Sequence, residues 1–218
     1  MKNIMTLSLI AFLFASCADN GNEAETSSAT SVEIVQDENT ITYSTVAEGS
    51  HLEWRASHLG GVEPRFGKIF LQDASVLVND GKVTNANMNI DMASLSVENF
   101  PEGAEEIGKL KTHLQNEDFF NVAKYPTSSF ELSSIEANEG EFNSKVTGNL
   151  NIMDSSKSVT FMANVEVSDN AVTIKSEDFS IDRRDWNLTH NVEGTEGVPT
   201  DYIIANDVGF TIDATIGK

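Results

Sequence analysis

Residues 82–92 alternate with a period of two: Met88, Ile90 and Met92 fall on one side, Asn87, Asn89 and Asp91 on the other. Successive side chains of a strand point to opposite faces, so this stretch is a strand with one dry and one wet face. The same period returns along most of the chain. It aligns Ile41, Tyr43 and Thr45, then Leu52, Trp54 and Ala56, and later Val146, Gly148, Leu150 and Ile152. It continues through Val159, Phe161, Ala163, Val165 and Val167, then Val172 and Ile174, running on through Phe179 and Ile181. A long last strand over 203–216 carries Val208, Phe210, Ile212, Ala214 and Ile216 on one face. Residues 66–71, 74–78 and 130–135 read as further short strands. Asn79-Asp80-Gly81 predicts a tight hairpin, because Asp-Gly supplies the positive φ angles such a turn needs. Short turns between consecutive strands favour antiparallel pairing. The expectation is an all-β antiparallel barrel, since closure removes exposed edges. A β-sandwich is the structural alternative. An eight-stranded barrel holds either side chains or one small ligand, and alternation does not choose between them.

One segment breaks the pattern. Residues 102–115 place Ile107, Leu110 and Leu114 at helical offsets among good helix formers, predicting one amphipathic helix inserted in the sheet. Phe119 and Phe120 follow together, too apolar for a solvated loop, and Tyr125-Pro126 forces extended geometry before the next strand. A helix and a Phe-Phe pair set into an all-β chain are expected to form a plug or lid.

The chain has 218 residues, 39% of them apolar, which suits one domain over 40–218. Its formal charge of −20 would repel nucleic acid, so no nucleic-acid partner is expected. Lys2 followed by a short apolar run to Phe14 and by Ala15-Ser16 predicts a signal peptide over 1–16, too short to span a membrane. The sole cysteine, Cys17, comes next, so no disulfide can form within the chain. The arrangement resembles a bacterial lipobox, with cleavage before Cys17 and acylation of its thiol, although Phe14 stands where Leu or Val is usual. A plain secretory signal with an incidental cysteine is the alternative. Several acyl chains at ~0.8 kcal/mol per buried CH₂ would hold the protein to a membrane of the bacterial envelope, at the periplasm or outer membrane. Residues 17–39, polar and acidic, are expected to be a flexible tether.

Four segments together resemble the YceI-like family of exported, lipocalin-like barrels associated with polyisoprenoid or other long lipid chains. They are Ser57-His58-Leu59-Gly60-Gly61 with Phe66-Gly67-Lys68-Ile69-Phe70; His113-Leu114 with Asp118-Phe119-Phe120, Tyr125-Pro126 and Phe130; Val146-Thr147-Gly148-Asn149-Leu150 with Lys157; and Phe179-Ser180-Ile181-Asp182-Arg183. The family usually carries a glycine in the turn where this chain has Asp154-Ser155, which leaves the turn type open. The resemblance runs from about Tyr43 to the C-terminus. It implies an elongated apolar cavity, which alternation alone only allows.

No nucleophile elbow, helical metal pair, phosphate loop or dinucleotide fingerprint occurs, so neither an enzyme nor a cofactor or metal site is expected. His51, His58, His113 and His190 are scattered in sequence. The expected apolar lining is Trp54, Met88, Ile90, Phe119, Phe120, Phe130, Leu150, Phe161 and Phe210. His58, Arg183 and Trp186 are expected at a mouth, with Arg183 binding a headgroup or, alternatively, Arg183 or Arg184 pairing with Asp182 or Asp185 to pin the loop. Two functions follow. One is an envelope lipoprotein binding a polyisoprenoid, quinone-like or fatty chain in its barrel for sequestration or transport. The other is a filled-core interaction module that binds another envelope protein.

Overall fold

The computed structural model describes residues 22–34 and 36–218. Cys17 and the expected signal peptide lie outside the described residues. The strands are β1 (Asn22–Glu23), β2 (Glu25–Ser28), β3 (Ile41–Tyr43), β4 (Thr45–Val46), β5 (His51–Ala56), β6 (Arg65–Asn79) and β7 (Lys82–Asp91). After helix α1 (Glu105–Gln115) come β8 (Thr127–Ala137), β9 (Ser144–Ile152), β10 (Ser155–Val167), β11 (Ala171–Ser176), β12 (Phe179–Asp182) and β13 (Asp207–Gly217). Neighbours pair antiparallel from β5 through β11, β11 pairs β13, and β13 returns to β5. The circle closes on eight strands. β3 and β4 extend β5 along the far ends of β6 and β13, so residues 41–56 act as one bent strand.

Strand β6 shows how the pattern was obeyed and how it was broken. Gly67, Ile69 and Leu71 are buried, and then Ala74, Val76 and Val78. The change from odd to even positions coincides with a register shift against β7 between Leu71 and Asp73. A bulge inserts one extra residue and keeps both halves facing the core. What read as two short strands is therefore one. The following hairpin turns on Asp80 (φ 49°) and Gly81 (φ 73°), with Asn79 opposite Lys82. The turn between β9 and β10 falls one residue earlier than expected, on Met153 (φ 53°) and Asp154, with Ile152 opposite Ser155.

The acidic N-terminal stretch departs from expectation. The first half of β10 separates from β12, and residues 22–28 fill the gap: β2 pairs antiparallel with β10, and β1 pairs parallel with β12. Outward-facing Asn149, Ser158 and Ser180 are buried, at 5%, 3% and 3% exposure. The Asn149 amide donates to Thr30 O (2.7 Å) and accepts from Thr30 N (2.9 Å). Thr26 Oγ1 donates to Asp185 (2.9 Å), and Asn22 Nδ2 to Glu177 (3.0 Å). Composition suggested a solvated tether because the segment has little apolar surface. Its backbone groups and short polar side chains instead satisfy an open sheet edge, which needs no hydrophobicity. Asn149→Ala is expected to lower stability by about 1–3 kcal/mol through its lost hydrogen bonds. Chemical denaturation measures this; a change under about 0.5 kcal/mol, the size of an ordinary surface substitution, would show that the segment merely lies on the barrel.

Candidate functional site

The inward faces of the strands do not meet. They line an apolar void of about 1130 Å³, counted together with the solvent-open space at its mouth, and its walls include Met88, Ile90, Phe120, Phe130, Leu150, Phe161 and Phe210. Of all its lining residues, only Ser128 carries a polar side chain. The void runs along the barrel, since both Ser128 and Ile135 of β8 line it, and the seven strand steps between them span roughly 23 Å. Such a space does not attract water, because a buried water needs polar partners that these walls lack.

Four aromatic rings form a chain along one wall. Phe130 meets Phe161 (5.8 Å between centroids), Phe161 stacks on Phe179 (4.7 Å, 7° between planes), and Phe179 meets Phe210 (6.1 Å). The stacked pair joins β10 to β12, across the gap that the N-terminal strands fill. Gly148 is needed beside them: a Cβ there would lie 2.3 Å from Phe130 Cζ and 2.6 Å from the Glu131 carbonyl oxygen.

The end of the barrel that carries α1 is closed in layers. Ser96 lies across Gly67, where a Cβ would collide with the Ser96 carbonyl oxygen. Trp54 Nε1 donates to that same oxygen (3.1 Å). Helix α1 packs Ile107, Leu110 and Leu114 against the core, and the chain then reverses at Asn121 (φ 45°). Phe120 reaches the void. Its neighbour Phe119 does not; its ring packs 5.0 Å from both His113 and His190.

The structure gathers seven of the nine expected lining residues around the void and places Trp54 and Phe119 elsewhere. None of the three expected mouth residues lines it. Trp186 is fully buried, with Nε1 donating to the Leu150 carbonyl (2.9 Å). His58 is half-buried beside Glu63 (3.8 Å), its backbone bridged to Ile204. Arg183, 3% exposed, turns inward and donates to the carbonyls of Ala205 (2.9 Å), Leu188 and Ile204 (3.1 Å). Neither the headgroup nor the carboxylate pairing describes it. Its planar fork gathers three carbonyls of the 187–206 loop, a task for which guanidinium geometry is suited. Burial pushes its pKa down, with Asp182 opposing.

The carboxylate pairing falls to the neighbouring arginine. Arg184 Nε donates to Asp182 Oδ1 (2.9 Å), and this side-chain hydrogen bond is the main reason the Asp182 carboxyl lies below its usual range. A lowered folded pKa contributes stability above the unfolded value and loses it as pH falls through the folded one. Asp182→Asn should therefore flatten stability against pH below about pH 4, the range where an unfolded Asp titrates. Arg183→Gln should lower stability by about 2–4 kcal/mol, because loop carbonyls lose charged donors. Denaturant melts across pH read both; an unchanged Arg183→Gln melt would free this arginine for another role.

One grouping escaped the sequence reading. His113 Nε2 lies 3.2 Å from Asp118 Oδ2, and the His190 ring sits 5.2 Å from that of His113. The two histidines come from different elements, so no local spacing could reveal them.

Residues 43–216 match the family described as YceI-like domain. Among curated relatives, a UPF0312 protein of Pseudomonas paraeruginosa is 28% identical over 148 residues, covering 62% of this chain and 73% of that protein. One from Pseudomonas aeruginosa is 29% identical over 118 residues, 53% of this chain and 57% of its own length. Among solved structures, Burkholderia cenocepacia BcnA superposes with a TM-score of 0.55 at 22% identity, over 76% of this chain and 95% of that one. A polyisoprenoid binding domain from Saccharophagus degradans gives 0.56 at 14% identity, over 81% and 99%. These structural likenesses concern the fold.

Proposed function

The chain belongs to the YceI-like family, and from that premise we propose that it is a lipid-anchored envelope protein that carries one long apolar chain inside its barrel. The observation that carries this reading is the elongated void with a single polar side chain in its lining. Each CH₂ taken from water contributes about 0.8 kcal/mol. About twenty such groups would give a gross ~16 kcal/mol, at or above the usual ~4–15 kcal/mol cost of association. No polar anchor is required, which is consistent with Arg183 and His58 being engaged in the loops. The Saccharophagus domain, a polyisoprenoid binder by description, shares the fold, and a prenyl chain is the class of ligand proposed.

The role is sequestration or transfer without chemistry. Phe120 is the gate: it lies at the end where α1 packs and contacts the void. Around that end Leu59 (40% exposed), Val62 (52%), Phe66 (43%) and Tyr202 (59%) project apolar surface. Such a rim suits contact with the lipid from which cargo would enter, and acylated Cys17 would keep it there. The filled-core interaction module is disfavoured by the void.

Protein purified without detergent should take up an isoprenoid quinone at one per chain in native mass spectrometry. Phe161→Trp, which fills the void, should reduce uptake at least tenfold with the fold intact. Uptake unchanged by that filling would overturn the reading. Phe120→Ala should speed ligand release more than it lowers stability, as followed by quinone transfer to vesicles. Cys17→Ser should move the protein from the membrane fraction to the soluble one.

A further inference from the structure

We propose that His113, Asp118 and His190 form a binding site for a first-row transition dication, which clamps the 187–206 loop onto the end of α1. Three observations carry this. The first is proximity: one donor atom from each residue lies within 4.8 Å of the other two. The second is donor chemistry. Two imidazoles with one carboxylate suit Zn²⁺ or Fe²⁺, while Ca²⁺ and Mg²⁺ prefer oxygen alone. Three protein ligands also leave coordination positions open for water.

The third is how the donors are held. His113 lies in the last turn of α1, and Asp118 follows in the turn after it, its N–H donating to Asn116 Oδ1 (2.8 Å). These two donors, 3.2 Å apart, already have the separation of ligands on one ion. The ring of Phe119 lies against both imidazoles, at 5.0 Å from each, and limits their rotation. Two ligands bound at about 2.0–2.1 Å can lie no more than ~4.2 Å apart, so the loop bearing His190 needs to approach by well under a side-chain length. The half-buried histidines and exposed Asp118 leave an entry path for the ion.

The site is independent of the lipid reading, but Phe119 connects the two. It packs on the metal ligands while the next residue, Phe120, contacts the void. An ion at this position would fix the segment proposed as the gate.

The bland alternative is that two histidines merely pack on a phenylalanine beside an acidic surface. Titration of the full chain with Zn²⁺ distinguishes them. A net charge of −20 gives weak binding everywhere, so His51→Ala serves as a control remote from the cluster, and Ca²⁺ as the oxygen-seeking control. One tight Zn²⁺ per chain is expected, weakened at least tenfold by His113→Ala, His190→Gln or Asp118→Asn, and unaffected by His51→Ala or excess Ca²⁺. Co²⁺ should give visible d–d bands that His190→Gln abolishes. Zn²⁺ should slow amide exchange in 187–206 in the parent but not in that variant. Metal-free melting of each variant, expected to match the parent, separates loss of ligand from loss of fold. Equal Zn²⁺ affinity in parent and His190→Gln, or an equal loss in His51→Ala, would overturn the site.

Discussion

Every backbone edge in this protein must find a partner, and the closed circle of eight main strands still leaves one seam, along the first half of β10. β10 pairs with β11 only over its second half, because the chain breaks between β11 and β12. An open stretch there would present unpaired N–H and C=O groups at the wall of an apolar void. Residues 22–28 supply the partners, and Asn149, Ser158 and Ser180 become buried beneath them. Closure removes the last edges from which a sheet protein can aggregate.

That closure keeps the inward faces of the walls apart. In a helical bundle, an unfilled centre collapses as helices slide together. In a closed barrel, strand number and tilt fix the diameter, so inward side chains cannot approach to fill the space. The walls gain stability from contacts with each other, as in the Phe130–Phe161–Phe179–Phe210 chain, rather than across the middle. Aromatic contacts of this kind are worth ~0.5–1.5 kcal/mol beyond area. Binding of a long apolar molecule would then supply the dispersion contacts that the void lacks.

Much of this was legible in sequence, for a definite reason. Alternation reports which face of a strand is dry, and Met88, Ile90, Phe130, Leu150, Phe161 and Phe210 were picked out by it and line the void. The helix near 105–115 was legible through its offsets, and the hairpin at Asp80-Gly81 through its turn chemistry. Four features were not legible. The bulge in β6 hides as a change of parity that mimics a turn. The pairing of 22–28 depends on a gap made elsewhere. Arg183 satisfies carbonyls of a loop that sequence leaves unfolded, and the His113–Asp118–His190 group requires that same loop to be placed. Charge and residue type say what a side chain can do, while tertiary placement decides which partner it meets. Trp54 and Phe119 make the point: both are aromatic on the correct segments, yet each packs in the closing layers rather than on the void.

In sequence, the strand that seals the barrel follows closely on Cys17. Five Cα steps separate Cys17 from Asn22, a reach of at most about 18 Å even when fully extended. With acylation at Cys17 as proposed, the barrel would be held on a short leash and could pivot but not travel. Tension on that leash would pass first into β1 and β2, the two strands that complete the wall. Were Cys17 so anchored, anchor and seam would be mechanically in series, and a pull at the membrane would load the same hydrogen bonds that complete the barrel wall.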